Sequence, residues 1–255
     1  MNVVRAFWGG IARRWLPLVV LPLLLSGCVR YDLTLRFDHH THGEIQQTLA
    51  LSERGAALAQ PTLAPWLETL QGRSRPLGGQ LRQGSQTATL SIPFSTPADL
   101  VDRFQQVFTP PADEGGTSLD LSDPPDPREE TPRLQIPGWG PVPIQLAVEQ
   151  ANWGLASRTH LIYTIDLHDL PTNDDVAPWA DLHLRLQVPW GLAEISADTP
   201  PPMAAETTGT TWALPPGETT SIDVVFWLPN AIAIGSLGIA ALVLAGYGLR
   251  YRVGA

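Results

Sequence analysis

Three histidines form a local cluster of side chains that bind metals: His39, His40 and His42, with Asp38 beside them. In an extended loop His40 and His42 point the same way, so their imidazoles can share a borderline metal such as zinc or copper. A third ligand has to come from elsewhere, for example from Glu44. The cluster therefore predicts either a metal site with a metal-dependent activity or a solvated hairpin turn that is rich in histidine.

The other three histidines, His160, His168 and His183, fall on the polar faces of predicted strands. This position favours sheet-surface side chains over a catalytic role. If the strands at 158–168 and 181–188 pair, His183 approaches one of the other two.

The composition excludes several kinds of chemistry. All 16 basic residues are arginine, so amine nucleophiles, Schiff bases and a phosphate-loop lysine are absent from the sequence. A single cysteine excludes a disulfide framework and a multi-cysteine zinc site. The glycine pairs lack the context of a phosphate loop, and the sequence has no nucleophile elbow. A non-enzymatic protein without a cofactor is the favoured interpretation.

The amino terminus has the pattern of a lipoprotein signal peptide over residues 1–27. Arginines without acids are followed by an apolar run, Trp15 to Leu25, that is too short for a comfortable membrane span. Leu25-Ser26-Gly27-Cys28 then resembles the bacterial lipobox, in which cleavage between Gly27 and Cys28 leaves a cysteine that carries diacylglycerol and a palmitate-type acyl chain. The alternative is a plain signal peptide or uncleaved anchor with a coincidental cysteine.

The carboxyl terminus has the pattern of a membrane span, assigned to residues 224–251. Ala231 to Leu249 is a stretch of nineteen residues without charge, and Pro229 suits a first helical turn. A helix from Pro229 to Tyr251 is about 34 Å long, enough for a hydrocarbon core of about 30 Å. The predicted membrane-interface residues are Trp227, Tyr247, Arg250, Tyr251 and Arg252. A buried core helix is the alternative.

The two ends together predict a topology with one membrane crossing. The terminal arginines place residues 252–255 in the cytoplasm, and export of Cys28 places the body outside it. The membrane is then the plasma or the thylakoid membrane. The body holds all 25 acidic residues and 11 of the 16 arginines, a formal charge of −14. This charge opposes nucleic acid as a partner and general adhesion to anionic lipid surfaces. The two membrane attachments instead suggest membrane lipid or a membrane-protein complex as the partner.

The body, residues 28–223, alternates between strand and helix signals. Apolar and polar side chains alternate from Val29 to Asp38 and again from Ile45 to Leu51, which predicts a hairpin. Further strands are predicted at 88–94, 144–149, 158–168, 181–188, 212–214 and 222–226. The fold class is α+β, mainly antiparallel sheet with one or two packed helices.

Helical segments are predicted between these strands. One lies around 52–58 and 64–70, interrupted by Pro61 and Pro65, and one follows the capping pair Thr96-Pro97. Residues 109–141 contain eight prolines and many acids, which predicts a disordered or extended insert.

The strand directions also predict where the candidate residues lie. Val29 follows the predicted lipidation site and Phe226 ends the strand before the span, so both attachments are expected at one pole, with the histidine turn at the other. Trp153, Trp190 and Trp212 lie at strand ends, where packing at the edge of the core is expected and an apolar ligand groove is the alternative.

The order of these parts resembles a known family. The run Cys28-Val29-Arg30-Tyr31-Asp32-Leu33-Thr34-Leu35, the following Gly43-Glu44-Ile45, the α+β body and one terminal span with arginines resemble the LppM-type lipoprotein domain family, including its uncharacterised relatives in cyanobacteria and plastids. The resemblance implies a membrane-anchored α+β domain and, for the actinobacterial branch, binding of lipid or glycolipid. It implies no site residues.

Three functions follow from the sequence. The first is a non-enzymatic lipoprotein that presents its domain for binding or assembly with lipid or a membrane-protein partner. The second is a metal-dependent activity at the histidine turn. The third is an accessory subunit that acts through its membrane helix, by way of small residues such as Gly235 and Gly238.

Overall fold

The computed structural model describes residues 29–109, 132–135, 141–170 and 180–253. The helices in these ranges are α1 (Glu53–Ser74), α2 (Pro97–Phe108) and α3 (Ala231–Val253), and a 3-10 turn (Arg75–Leu77) follows α1. The strands are β1 (Val29–His39), β2 (His42–Leu51), β3 (Gln80–Gln83), β4 (Thr87–Phe94), β5 (Arg133–Gln135), β6 (Pro141–Asn152), β7 (Ala156–Asp166), β8 (Ala180–Gln187), β9 (Leu192–Ile195), β10 (Ala204–Glu206), β11 (Gly209–Ala213) and β12 (Thr219–Pro229).

The strands form two sheets. One has seven strands in the order β10-β11-β8-β1-β2-β4-β3, and the other has five in the order β5-β6-β7-β12-β9. Only the β1–β8 pair is parallel among the described strand pairs. The predicted α+β fold with a mainly antiparallel sheet is therefore confirmed.

A single apolar core joins the two sheets. The alternation in β1 turns Tyr31, Leu33, Leu35 and Phe37 inward, and each is at most 3% exposed. Phe37 contacts Phe226 of the other sheet with ring centroids 5.0 Å apart.

Helix α2 closes the core beside β4 and β6. The Thr96 hydroxyl accepts the backbone N–H of Asp99 at 3.1 Å, so the predicted cap is present. Phe104 is fully buried and meets Tyr163 edge to face at 6.4 Å. Burial raises the pKa of the Tyr163 phenol well above its usual range, so this phenol stays neutral.

Helix α1 differs from its prediction. It continues without a break from Glu53 to Ser74, through both Pro61 and Pro65, where the sequence predicts two separate segments. Leu67 and Leu70 on its second half are buried against the body. Burial of these apolar side chains offsets the backbone hydrogen bonds that are lost at the prolines. Helix propensity alone therefore overestimates the ability of these prolines to end the helix.

Two predicted boundaries are also wrong. Strand β12 continues to Pro229, so residues 224–229 belong to the domain and the predicted span does not begin at 224. Full register with β7 and a hydrophobic core on one face explain the extension. Within the predicted insert at 109–141, Arg133–Gln135 pairs with β6 as strand β5, and residues 110–131 and 136–140 lie outside the described residues.

The strands β1 and β12 run in the same direction. Phe37 contacts Phe226, and three residues further along the chain from each, the backbone N–H of His40 donates to the carbonyl of Pro229. We call the end of the domain at Pro229 the basal end and the end at Val29 the distal end. The histidine turn lies at the basal end and Val29 at the distal end, so the expectation that both attachments share one pole is wrong. That expectation assumed opposite directions for two strands that lie in different sheets.

Candidate functional site

The junction between β12 and α3 consists of one residue, Asn230. Its side-chain oxygen accepts the backbone N–H of Ala233 at 3.1 Å, and its carbonyl accepts that of Ile234 at 3.0 Å. Asn230 is therefore the N-cap of α3, and Pro229 is the last strand residue rather than part of a first helical turn. An asparagine directly before a long apolar run was the sequence signal for this cap.

Asn230 also fastens α3 to the turn between β6 and β7. Its side-chain amide donates to the carbonyl of Gly154 at 2.9 Å, and its backbone N–H donates to that of Leu155 at 2.9 Å. The residue is 8% exposed. The start of α3 is thus held by hydrogen bonds in a buried position, with no free linker between helix and domain.

The histidine turn contacts the same junction. The backbone N–H of His40 donates to the carbonyl of Pro229 at 3.3 Å, and His40 Nδ1 lies 3.3 Å from the same oxygen. A carbonyl only accepts, so this contact assigns the proton to Nδ1 of His40. The turn is thereby joined to the residue that precedes the cap of α3.

The other two histidines of the turn face each other across the hairpin. His39 and His42 are register partners with ring centroids 5.7 Å apart. His39 Nδ1 accepts the backbone N–H of Thr41 at 3.3 Å, and His42 Nε2 lies 3.8 Å from a carboxylate oxygen of Asp38.

This arrangement changes the interpretation of the predicted metal ligands. The sequence argument needs an extended loop, but His40 and Thr41 form a tight turn, and His40 is directed to Pro229. Within residues 29–109, 132–135, 141–170 and 180–253, no group of three or more His, Cys, Asp or Glu side chains is placed to hold a metal ion.

Two of the remaining histidines, His160 and His183, pair with aspartates inside the sheets, whereas His168 is exposed in the turn after β7 and not on a strand face. His160 Nε2 lies 2.7 Å from Asp223 across the β7–β12 pair. His183 is 2% exposed, with Nδ1 3.0 Å from Asp32 and Nε2 3.2 Å from Asp181. Strands β7 and β8 lie in different sheets, so they do not pair, and His183 is a buried residue rather than a surface one.

Tryptophans are exposed at the basal end. Trp153 is 71% exposed at the β6–β7 turn and meets Trp227 edge to face at 6.4 Å, and Trp190 is 57% exposed in the β8–β9 turn. The expectation of core-edge packing is correct for Trp212, which is fully buried, and wrong for Trp153 and Trp190. The run Asn152-Trp153-Gly154 forms a tight turn, with Gly154 at a φ of 86°, that carries the indole outward.

Helix α3 exposes large apolar side chains around its circumference. Those between 45% and 75% exposed are Ile232, Ile234, Leu237, Ile239, Leu242, Val243, Leu244 and Tyr247. The side chains of Arg250, Tyr251 and Arg252, three predicted interface residues, lie outside the described part. Gly27, Cys28 and the predicted signal peptide lie outside it too.

In the described part of the chain, no helix has both the length and the apolar character required to cross a bilayer. The membrane span that the sequence predicts is therefore not confirmed.

Comparison with protein-family models identifies the family of this chain. The model of DUF3153, described as "Protein of unknown function (DUF3153)", matches residues 33–253. The chain belongs to the DUF3153 family. The match extends from β1 through α3, so the domain, the junction at Asn230 and the terminal helix all belong to the family's pattern.

A search of solved structures found a match to the folded domain of LppM from Mycobacterium tuberculosis. It is 11% identical to this DUF3153 chain, with a TM-score of 0.41, and the match covers 82% of this chain and 94% of that one. The match is to the same LppM-type domain that the sequence resembles, and at this TM-score no argument about fold or function rests on it. A comparison with curated proteins gave no match.

Proposed function

We propose that this chain is a membrane-anchored, non-enzymatic lipoprotein that presents its α+β domain outside the cytoplasm to lipid or to a membrane-protein partner. The anchors are helix α3 at the basal end and acylated Cys28 next to the distal end. The observation that carries the proposal is the exposed apolar surface of α3.

The exposure of α3 supports lipid as its surroundings. Burial of a leucine or isoleucine side chain contributes about 1.5–3 kcal/mol, so eight exposed large side chains on one helix are costly in water. A surface of this kind on a soluble protein marks a membrane or protein contact. The sequence extends the run to Leu249, and the whole of α3, 23 residues, is about 35 Å long.

The polar groups of the domain support a binding role rather than catalysis. Five of the six histidines, all but His168, contact carboxylates or backbone groups of the domain itself. The sequence contains no lysine, so it has no amine side chain that could act as a nucleophile. The proposed role therefore rests on surfaces and anchors, with no reacting group assigned.

Extraction of membranes with alkaline carbonate tests the two anchors. Four chains are compared: the natural chain, one ending at Asn230, one with residues 1–28 replaced by a cleavable secretory signal without a lipidation site, and one with both changes. We expect the first three in the membrane pellet and the fourth in the supernatant.

The outcomes separate the anchors. The doubly changed chain lacks both proposed anchors. If it stays in the pellet, something else holds it to the membrane, and the proposal is contradicted. Loss of the secretory-signal chain to the supernatant contradicts α3 as an anchor. Circular dichroism of the released domain serves as the control for folding.

A further inference from the structure

The basal end carries an apolar surface that neither the family match nor the anchors explain. It consists of Trp153, Leu155, Trp190 and Trp227, and we call it the basal surface. Trp153 and Leu155 belong to the β6–β7 turn that binds Asn230, and Trp227 contacts Trp153. Trp190 lies two residues before Leu192, the register partner of Phe226, which places it at the same end.

The rigid junction fixes the basal surface relative to α3. Four hydrogen bonds join the residues at the start of α3 to the body: two from Asn230 to Gly154 and Leu155, and two from His40, through its backbone N–H and its Nδ1, to Pro229. Because only one residue separates β12 from α3, there is no flexible linker that would let the domain move away from the start of the helix. Whatever surrounds the first turn of α3 must therefore also meet the β6–β7 turn.

The chemistry of the basal surface fits the interface of a bilayer. Trp153, Leu155 and Trp190 are 71%, 47% and 57% exposed. Indole rings have an apolar body and a polar N–H, and they are enriched at the level of lipid headgroups.

The distal end exposes no tryptophan among the described residues. Its exposed residues include four acids, Asp166, Asp169, Asp181 and Glu218, near the ends of β7, β8 and β12. Carboxylates do not favour an anionic membrane surface. Because exposed carboxylates such as Glu194 and Glu206 also lie toward the basal end, the exposed tryptophans, and not the charges, give the domain a preferred orientation.

We propose that the basal surface rests in the headgroup region of the bilayer that α3 enters. When Cys28 carries no acyl chain, the domain then stands with its distal end away from the membrane. This inference rests on the membrane anchoring by α3 proposed above. The histidine turn then lies near the headgroups, because His40 contacts Pro229. Strand β1, eleven residues, separates the two ends by about 36 Å.

Fluorescence quenching in vesicles tests the orientation. The mature chain without Cys28, residues 29–255, receives one cysteine labelled with an environment-sensitive fluorophore, by Trp153→Cys, Ser85→Cys or Leu242→Cys. Ser85 is exposed in the β3–β4 turn, at the distal end, and Leu242 lies in α3. Each protein is reconstituted into phosphatidylcholine vesicles without a quencher, with lipids that carry a quencher near the headgroup, and with lipids that carry one deep in the acyl chain, because Leu242 lies about 16 Å along α3 from Ala231.

We expect strong quenching at position 153 by the headgroup quencher, strong quenching at position 242 by the acyl-chain quencher, and unchanged fluorescence at position 85 with either. Quenching at 242 without quenching at 153 overturns the inference and leaves α3 as an anchor, with a protein partner on the basal surface. Equal quenching at 153 and 85 also overturns it, because the domain then lies on its side.

Absence of quenching at 242 contradicts the proposed anchoring itself, so the two proposals fail differently. A label at Thr41→Cys, exposed in the histidine turn, gives a second reading of the basal end if loss of the Trp153 indole disturbs the contact.

Discussion

Asn230 connects three parts of the molecule through one side chain and its backbone. It caps α3, and it donates to the carbonyls of Gly154 and Leu155 in the β6–β7 turn. A buried carbonyl that loses its donor costs free energy beyond the lost hydrogen bond. The residue is therefore expected to determine how firmly α3 is held to the domain.

Replacement of this cap is expected to destabilise the junction. Asn230→Ala removes both the cap and the donor to Gly154, with a loss of about 1–2 kcal/mol in the free energy of unfolding. Asn230→Ser keeps a hydroxyl acceptor for Ala233 and removes the donor to Gly154 without placing a carboxylate against that carbonyl, so an intermediate loss is expected. Thermal unfolding of the detergent-solubilised chain measures both. An alanine variant as stable as the natural chain contradicts this role.

Asp166 is expected to make stability depend on pH in the acid range. Hydrogen bonds from the Thr219 hydroxyl, 2.8 Å, and from the backbone N–H of His168 hold the pKa of the Asp166 carboxyl below its usual range. A lowered folded-state pKa stabilises the fold above the unfolded-state value of about 3.9, and this contribution is lost as the pH falls through the folded-state pKa.

Asp166→Asn is accordingly expected to be less stable than the natural chain at neutral pH, with a difference that shrinks below about pH 4. Unfolding by urea at several pH values measures the difference. A gap that stays constant down to the most acid stable condition contradicts the assigned hydrogen bonds, and Asp169→Asn, exposed at the same end, is the matched control.

At the scale of elements, helix α2 depends on its first turn. The hydroxyl of Thr96 accepts from Asp99, whose carboxylate accepts the backbone N–H of Ser95 at 2.7 Å. Thr96→Ala is expected to lower the free energy of unfolding by about 1 kcal/mol, and Thr96→Ser to retain most of it. Equal unfolding midpoints in urea for the alanine and serine variants contradict the cap.

The elements that could be predicted from the sequence are those with a strong local pattern. The β1–β2 hairpin alternates over both strands, and α2 combines a cap with one apolar face, so local signals agree with the final structure. Strands β3, β9 and β10 are three or four residues long and were missed, because they depend on pairing with distant strands.

The candidate site was predicted only in part. Residue type alone singles out the histidine turn and Trp227 as candidates. Their position at the same end of the domain is not predictable in this way, because the direction of β1 relative to β12 is a property of packing between sheets. Trp153 and Trp190 were assigned to the core edge, since composition does not distinguish an inward indole from an outward one.

At the scale of the whole molecule, the two proposed anchors lie at opposite ends. Acylated Cys28 adjoins Val29, and α3 leaves the basal end. If both enter one leaflet, the axis of β1 has to turn toward the membrane plane. Acylation is thus expected to bring the distal end close to the membrane surface. A fluorophore at position 85 is then quenched in the acylated chain and not in the chain without Cys28.

Processing tests the lipidation directly. Cys28→Ser is expected to abolish cleavage and acylation, leaving a precursor longer by the 27 residues of the predicted signal peptide. Mass spectrometry of the purified chain measures this. A variant that is cleaved at the same bond as the natural chain excludes the lipobox interpretation.

The central claim is that the chain crosses the membrane once and holds its domain outside the cytoplasm. Its most direct test places one reporter after Ala255 and another within residues 110–131, and measures on which side of the membrane each is active. We predict a cytoplasmic reporter after Ala255 and an exported one in the insert. Two reporters active on the same side contradict the account.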